Sequence, residues 1–242
     1  MIKSQPQAKS SSSSDSGFTI IESLLGVIVV AILLAAISPV LVMSTATRVQ
    51  SRRMEKATQA TNTLIDGLRT GLIQAPGSYN AANKIELPAV NADQPRALGE
   101  NLITLTTMPI PTNTTNLYLF KKDDSICHTS EADCNLQSPS EEFYIQARQI
   151  IVDDNGALPN PNKGYRLVMR LYRGDVDFTR PLLASSNAGN NTASVVSEGL
   201  GNRQAPLIER TVDIANIATS FQDLCQRLGI ARDSAGNNQN CE

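Results

Sequence analysis

The chain has 242 residues, a formal net charge of −2, and 41% hydrophobic residues. That length suits one or two domains, and the apolar content is too high for a disordered chain. The near-neutral balance, with no concentrated basic patch, argues against a dedicated nucleic-acid binder.

The first 17 residues, MIKSQPQAKSSSSSDSG, are polar and Ser-rich and carry no signal for a regular element. From Ser23 to Thr47 there are 25 residues without a charge. As a helix rising 1.5 Å per residue, such a run spans roughly 37 Å, more than the ~30 Å hydrocarbon core of a bilayer. Glu22 stands at the start of this run, where a carboxylate held at mid-membrane depth costs roughly 2.5 to 3.5 kcal/mol. A cleavable secretory signal has an apolar core of only about 7 to 15 residues. Here the run is longer, and the sequence after it continues as helix. Pro39 lies within the run, removes one backbone donor, and predicts a kink.

Past Pro39 the apolar pattern becomes periodic. Val49, Met54, Ala57, Ala60, Ile65, Leu68 and Leu72 recur at spacings near 3 and 4, while Arg52, Arg53, Lys56 and Asp66 mostly lie elsewhere around the helix. Gly71 and the following APGS, with Pro76 and Gly77, end it. The whole helix, from about Phe18 to Leu72, is expected to be about 55 residues and roughly 80 Å long. Arg48, Arg52, Arg53 and Lys56 suit membrane headgroups, salt bridges to neighbouring subunits, or simply a solvated helix face.

Beyond residue 76 the texture changes to short β-like runs set in Pro-, Asn- and Ser-rich loops. LITLTT (102–107), NLYLF (116–120), EFYIQARQIIV (142–152), YRLVMRLYR (165–173) and LIERTVDIANI (207–217) read as strands. In the fourth, Leu167, Met169 and Leu171 face one way and Arg166, Val168 and Arg170 the other. This predicts an antiparallel sheet with one face packed on the helix. Residues 182–205 read as a long exposed loop, and 218–230 as a short helix. The expected fold is therefore α+β: a long kinked N-terminal helix on a small antiparallel β-sheet head. Four segments follow: 1–17, the spanning helix 18–47, its amphipathic continuation 48–75, and a β-rich head 76–242.

The four cysteines, Cys127, Cys134, Cys225 and Cys241, all lie in the second half. Local pairs, Cys127 with Cys134 and Cys225 with Cys241, suggest themselves, but three connectivities are open. Zinc binding is disfavoured because His128 is the only histidine. Disulfides in turn favour an oxidising compartment for the head. The sequence has no nucleophile elbow, phosphate loop, dinucleotide fingerprint or metalloprotease motif. His128, between Cys127 and an acidic stretch, reads as a surface loop residue. DDNGALPNPN (153–162) lacks the alternate ligands and terminal Glu of a calcium loop and reads as a strand-joining turn. No enzyme activity, metal or cofactor is expected.

GFTIIESLLGVIVVAILLAAISPVLV, residues 17–42, resembles the N-terminal signature of type IV pilins and pseudopilins: Gly, then Phe, then T-[LI]-I-E. The resemblance implies that a prepilin peptidase cuts between Gly17 and Phe18 and that Phe18 is N-methylated. It makes Glu22 the family's intramembrane acid, used in assembly, and Pro39 its helix-kinking proline. It covers about 30 residues. The new ammonium at Phe18 lies one turn from Glu22, and a buried charge is tolerable when paired. The implied partners are the peptidase, other pilin or pseudopilin subunits and inner-membrane lipid. The segment SPVLVMSTATRVQSRRMEKATQATNTLIDGLRTG is similar to cyanobacterial pseudopilins of hormogonium polysaccharide secretion. That implies a secretion filament, with two alternatives: a minor type IV pilin for motility, adhesion or DNA uptake, and an anchored ligand-binding module that never assembles.

Orientation is contested within the sequence. Lys3 and Lys9 precede the span and four cations follow it, which by charge alone places the head in the cytoplasm. Long translocated domains override that count, and the cysteines favour a cytoplasmic leader and an extracytoplasmic head.

Overall fold

The computed structural model describes residues 19–87, 103–152, 163–184, 202–216, 218–229 and 231–239. The chain divides into two compact units, Met1–Thr45 and Ala46–Glu242. Helix α1 (Ile20–Thr70) runs through both and continues unbroken past Pro39. It ends at Gly71, whose φ of 74° suits glycine.

In the second unit, a short helix α2 (Pro76–Tyr79) and a 3₁₀ turn (Ala81–Asn83) lead into β1 (Lys84–Leu87). The remaining elements are β2 (Tyr118–Phe120), β3 (Ile126–His128), β4 (Phe143–Val152), β5 (Tyr165–Arg173), β6 (Ile208–Ile214), α3 (Phe221–Leu228), β7 (Ala231–Arg232) and β8 (Asn238–Gln239). The main sheet has the order β3-β2-β4-β5-β6, all antiparallel. β1 joins it by pairing parallel to the far half of β4, Lys84 to Leu87 opposite Gln149 to Val152. The α+β architecture expected from the sequence is thus present, with one parallel strand added.

Period-2 alternation gives the sheet two different faces. On the inner face, Tyr165, Leu167, Met169 and Leu171 of β5 join Phe143, Ile145 and Ala147 of β4. They pack against Ala57, Ala60, Leu64, Ile65 and Leu68 of α1 in one core. Ala57 and Ala60 are fully buried. On the outer face, Tyr144 and Tyr172 pack with Leu117, Leu119 and Leu182, and Val168 packs with Met108 and Ile150. All nine residues of β5 are buried, so the sheet is covered on both sides and not solvated on one.

The outer cover explains why LITLTT is not the strand its composition predicts. In its described part, residues 103–107, Thr104 and Thr107 each donate their amide to the other's hydroxyl at 3.1 Å, which closes a turn. The next three carbonyls bind the sheet. Thr107 O accepts from Arg148 Nη1 (3.0 Å), Met108 O from Arg170 Nη1, and Pro109 O from Gln146 Nε2 (2.7 Å).

Arg170 is fully buried, and its Nε donates to Glu209 Oε1 at 2.7 Å; the two residues are directly opposed in register. Removing one partner of such a pair leaves the other charge buried, whereas an apolar pair of similar volume is often neutral. Glu209→Ala is therefore expected to destabilise the head by about 3 to 5 kcal/mol, read by denaturant unfolding of the full chain in neutral detergent. The double variant Arg170→Met/Glu209→Leu should recover most of that loss. An unaltered midpoint for Glu209→Ala contradicts the assignment.

Candidate functional site

Thr19 starts α1. The Glu22 amide donates to Thr19 Oγ1 at 3.3 Å and to the Thr19 carbonyl at 3.0 Å, which satisfies a first-turn donor. Glu22 therefore sits in the first turn, exposed, at the end of the helix where the dipole favours a carboxylate. Gly17 and Phe18 lie outside the described residues.

Among the described residues, nothing packs on the turns that follow. Sixteen large apolar side chains between Ile20 and Met43 are exposed, on every side of the helix and not in a stripe. Gln50 is the first buried residue of α1. This helix is long and apolar enough to cross a membrane. An apolar surface of this extent requires lipid or other chains around it. Within it, Pro39 lacks the amide that would bind the Ala35 carbonyl, and the helix accommodates that loss.

In the head, Cys127 and Cys134 form a disulfide with their Cα atoms 5.7 Å apart, closing the loop after β3. Cys225 is also disulfide-bonded; Cys241 lies outside the described residues, as does the turn 153–162. The disulfide removes Cys127 and Cys134 from any metal site.

His128 corrects its sequence reading: it is 1% exposed, not a surface residue. β3 delivers it to the sheet edge, where its ring stacks on Tyr79 with centroids 3.7 Å apart and meets Tyr118 edge-on at 5.1 Å. Its Nδ1 shares a 2.6 Å hydrogen bond with Ser130 Oγ, and its buried Nε2 has no partner among the described residues. Tyr79 donates from its hydroxyl to Glu131 Oε1 at 2.8 Å, and Tyr118 to the Gln74 carbonyl at 2.7 Å. Burial, with the Glu131 hydrogen bond, raises the Tyr79 phenol to about 12. The cluster locks the end of α2 to the disulfide loop. No sequence signal revealed it, because Tyr79 and His128 are 49 residues apart.

A second feature lies where α1 passes the β3–β4 loop. Val49, Arg52, Arg53, Glu55, Lys56 and Gln59 of α1, with Ser140, Glu141 and Phe143, line an open cleft of about 570 Å³. The cations read from the sequence as one cluster are brought together here, with Arg48 one turn before Arg52 on the same helix face.

No protein-family model matches the chain, and no curated protein or solved structure matches it. The functional reading rests on the residues themselves.

Burial lowers the His128 pKa against the opposing pull of Glu131. The folded state therefore disfavours the imidazolium. As pH falls below about 6.5 the unfolded chain takes up a proton that the folded chain resists, so stability falls as pH falls. With one histidine in the chain, the effect is assignable. Thermal unfolding between about pH 7 and 5.5 is expected to show a falling midpoint, flattened by His128→Phe, which keeps the stack on Tyr79. A wild-type midpoint that stays level through that range contradicts a buried neutral His128.

Proposed function

We propose that this chain is a structural subunit of a type IV pilus-like or pseudopilus filament. It is made as a membrane precursor, cut after Gly17, methylated at Phe18, and assembled through the apolar half of α1. The carrying observation is that half-helix: sixteen exposed large apolar side chains with one acid, Glu22, in the first turn. A simple anchor needs the apolar surface but gains nothing from the acid. A subunit that enters a helix bundle gains a partner for it, because cutting after Gly17 creates an ammonium one turn away.

The Cys127–Cys134 disulfide supports a head outside the cytoplasm and a leader inside. The packed head, built on the second half of the same helix, supports a structural role over catalysis: Arg170 ties β5 to β6 and to the Met108 loop, and the His128 ring ties β3 to Tyr79 of α2. We further propose that the filament serves secretion, with polysaccharide as its cargo, on the similarity of residues 38–71 to hormogonium pseudopilins.

Intact mass spectrometry of the chain extracted from membranes is expected to give an N-terminus at Phe18 carrying one added methyl group. The mature charge becomes −3, since residues 1–17 hold Lys3, Lys9 and Asp15 (−2 − 2 + 1). An intact Met1 terminus overturns the proposal. Glu22→Ala should still reach the membrane but fail to enter filaments, and full filament function in that variant would exclude assembly through the acid. Loss of polysaccharide export on deletion supports the cargo; loss of motility or DNA uptake alone assigns a minor pilin instead.

A further inference from the structure

We propose that the cleft between α1 and the β3–β4 loop binds the anionic headgroup of a membrane lipid, clamping the head to the bilayer surface. The inference rests on the membrane anchoring argued above and adds a ligand class to it.

Three features point to this ligand. First, Arg48, Arg52 and Lys56 follow one another at intervals of four on one helix face, and no salt bridge forms to them, or to Arg53, among the described residues. Like charges so spaced repel, and an acidic ligand relieves that. Second, Arg53 is half-buried, donates to Gln50 Oε1 at 3.4 Å, and lies near Arg173. Arg173 is held by Asp175 at 2.5 Å, so one acid is shared between two arginines. Burial and then Arg173 lower the Arg53 pKa, Asp175 opposes them only in part, and an anion in the cleft offsets the rest. Third, the cleft's two carboxylates do not balance its three cations: Glu141 is held by Lys122 at 2.7 Å, with Lys56 a smaller influence on it, and Glu55 is the other. Ser140 supplies a hydroxyl, and Val49 and Phe143 an apolar wall suited to the glycerol end of a lipid.

Position selects a lipid over other anions. The uncharged run ends at Thr47, and Arg48 to Lys56 occupy the next nine residues, roughly 14 Å of helix. The headgroup layer occupies roughly 5 to 8 Å on each side of the core. Arg and Lys side chains are long enough to reach back toward it. These cations also run against the positive-inside bias for a translocated head, and a ligand on the outer leaflet gives their presence there a physical reason.

The test uses the full chain in neutral detergent, offered equal amounts of phosphatidylglycerol and phosphatidylcholine, with retained lipid measured by native mass spectrometry. Phosphatidylglycerol is expected to be preferred, and the preference to fall about fivefold for each charge removed in Arg52→Gln and Lys56→Gln. Arg69→Gln, far along the same helix, should leave it unchanged. Thermal unfolding confirms that the variants stay folded. Equal retention of the two lipids overturns the proposal, as does a preference insensitive to Arg52 and Lys56. If these cations instead set the oligomer size without any lipid preference, the occupant is a second copy of the chain and the proposal fails. A chain recovered from cells without detergent or membranes overturns the anchoring itself, an outcome separate from failure of the lipid site.

Discussion

The burial of one stripe of α1 against β5 is the contact on which the rest of the head depends. Ala57 and Ala60 are small and fully enclosed, so the helix backbone lies close to the sheet, and Leu64, Ile65 and Leu68 fill the space around Leu167, Met169 and Leu171. β5 is flanked by β4 and β6, and all nine of its residues are buried. With the helix occupying the inner face, the outer face has to be closed by chain of another kind. The loop after Ile103 serves, held by its backbone through Arg148, Arg170 and Gln146.

Placing arginines on that closed face has consequences for register. Arg170 faces Glu209 and Arg166 faces Asp213 across the β5–β6 ladder, and Asp213 also receives Arg227 Nε from α3 at 3.4 Å. Arg227 Nη1 donates to the Lys163 carbonyl. A slip of β6 by one residue would send Glu209 and Asp213 to the helix-facing side, among Leu167, Met169 and Leu171, and leave Arg166 and Arg170 without an opposing carboxylate. Such pairs add little net stability over apolar substitutes, but a mispaired alternative carries uncompensated buried charge. Register is specified by the cost of the wrong arrangement.

How far these features could be read from the sequence follows from the range of the forces that make them. β5 matches its expected span, because nine alternating residues leave little freedom, and β4, β6 and α3 lie within their expected stretches. LITLTT failed because β-branched composition cannot distinguish a strand from a turn closed by two reciprocal threonine hydrogen bonds. KIEL is too short to signal a strand, and its parallel pairing is defined only by the exposed ladder of β4, more than 60 residues later. His128 was misread because burial is a property of partners, and Tyr79 reaches it only once α2 and β3 are in place. The long apolar helix was legible because an uncharged run needs no partner to declare itself, and the structure has it as helix from Ile20; the pairing of Cys127 with Cys134 required the structure.

The two halves of α1 obey different chemical rules, and that difference carries the functional argument. From Ala46 onward the helix is amphipathic, and its buried stripe is matched to the sheet. Before that, apolar residues cover the whole circumference, which gives no preferred face and so no single partner. A surface of that kind is satisfied equally by lipid or by a ring of like helices, and exchange between the two costs little apolar burial. The residue that would distinguish them is Glu22, which lipid solvates poorly and which, under the proposed cleavage after Gly17, a bundle containing N-terminal ammonium groups would neutralise. In the assembly proposed above, one carboxylate would supply a direction to a transfer that the apolar side chains alone would leave nearly balanced.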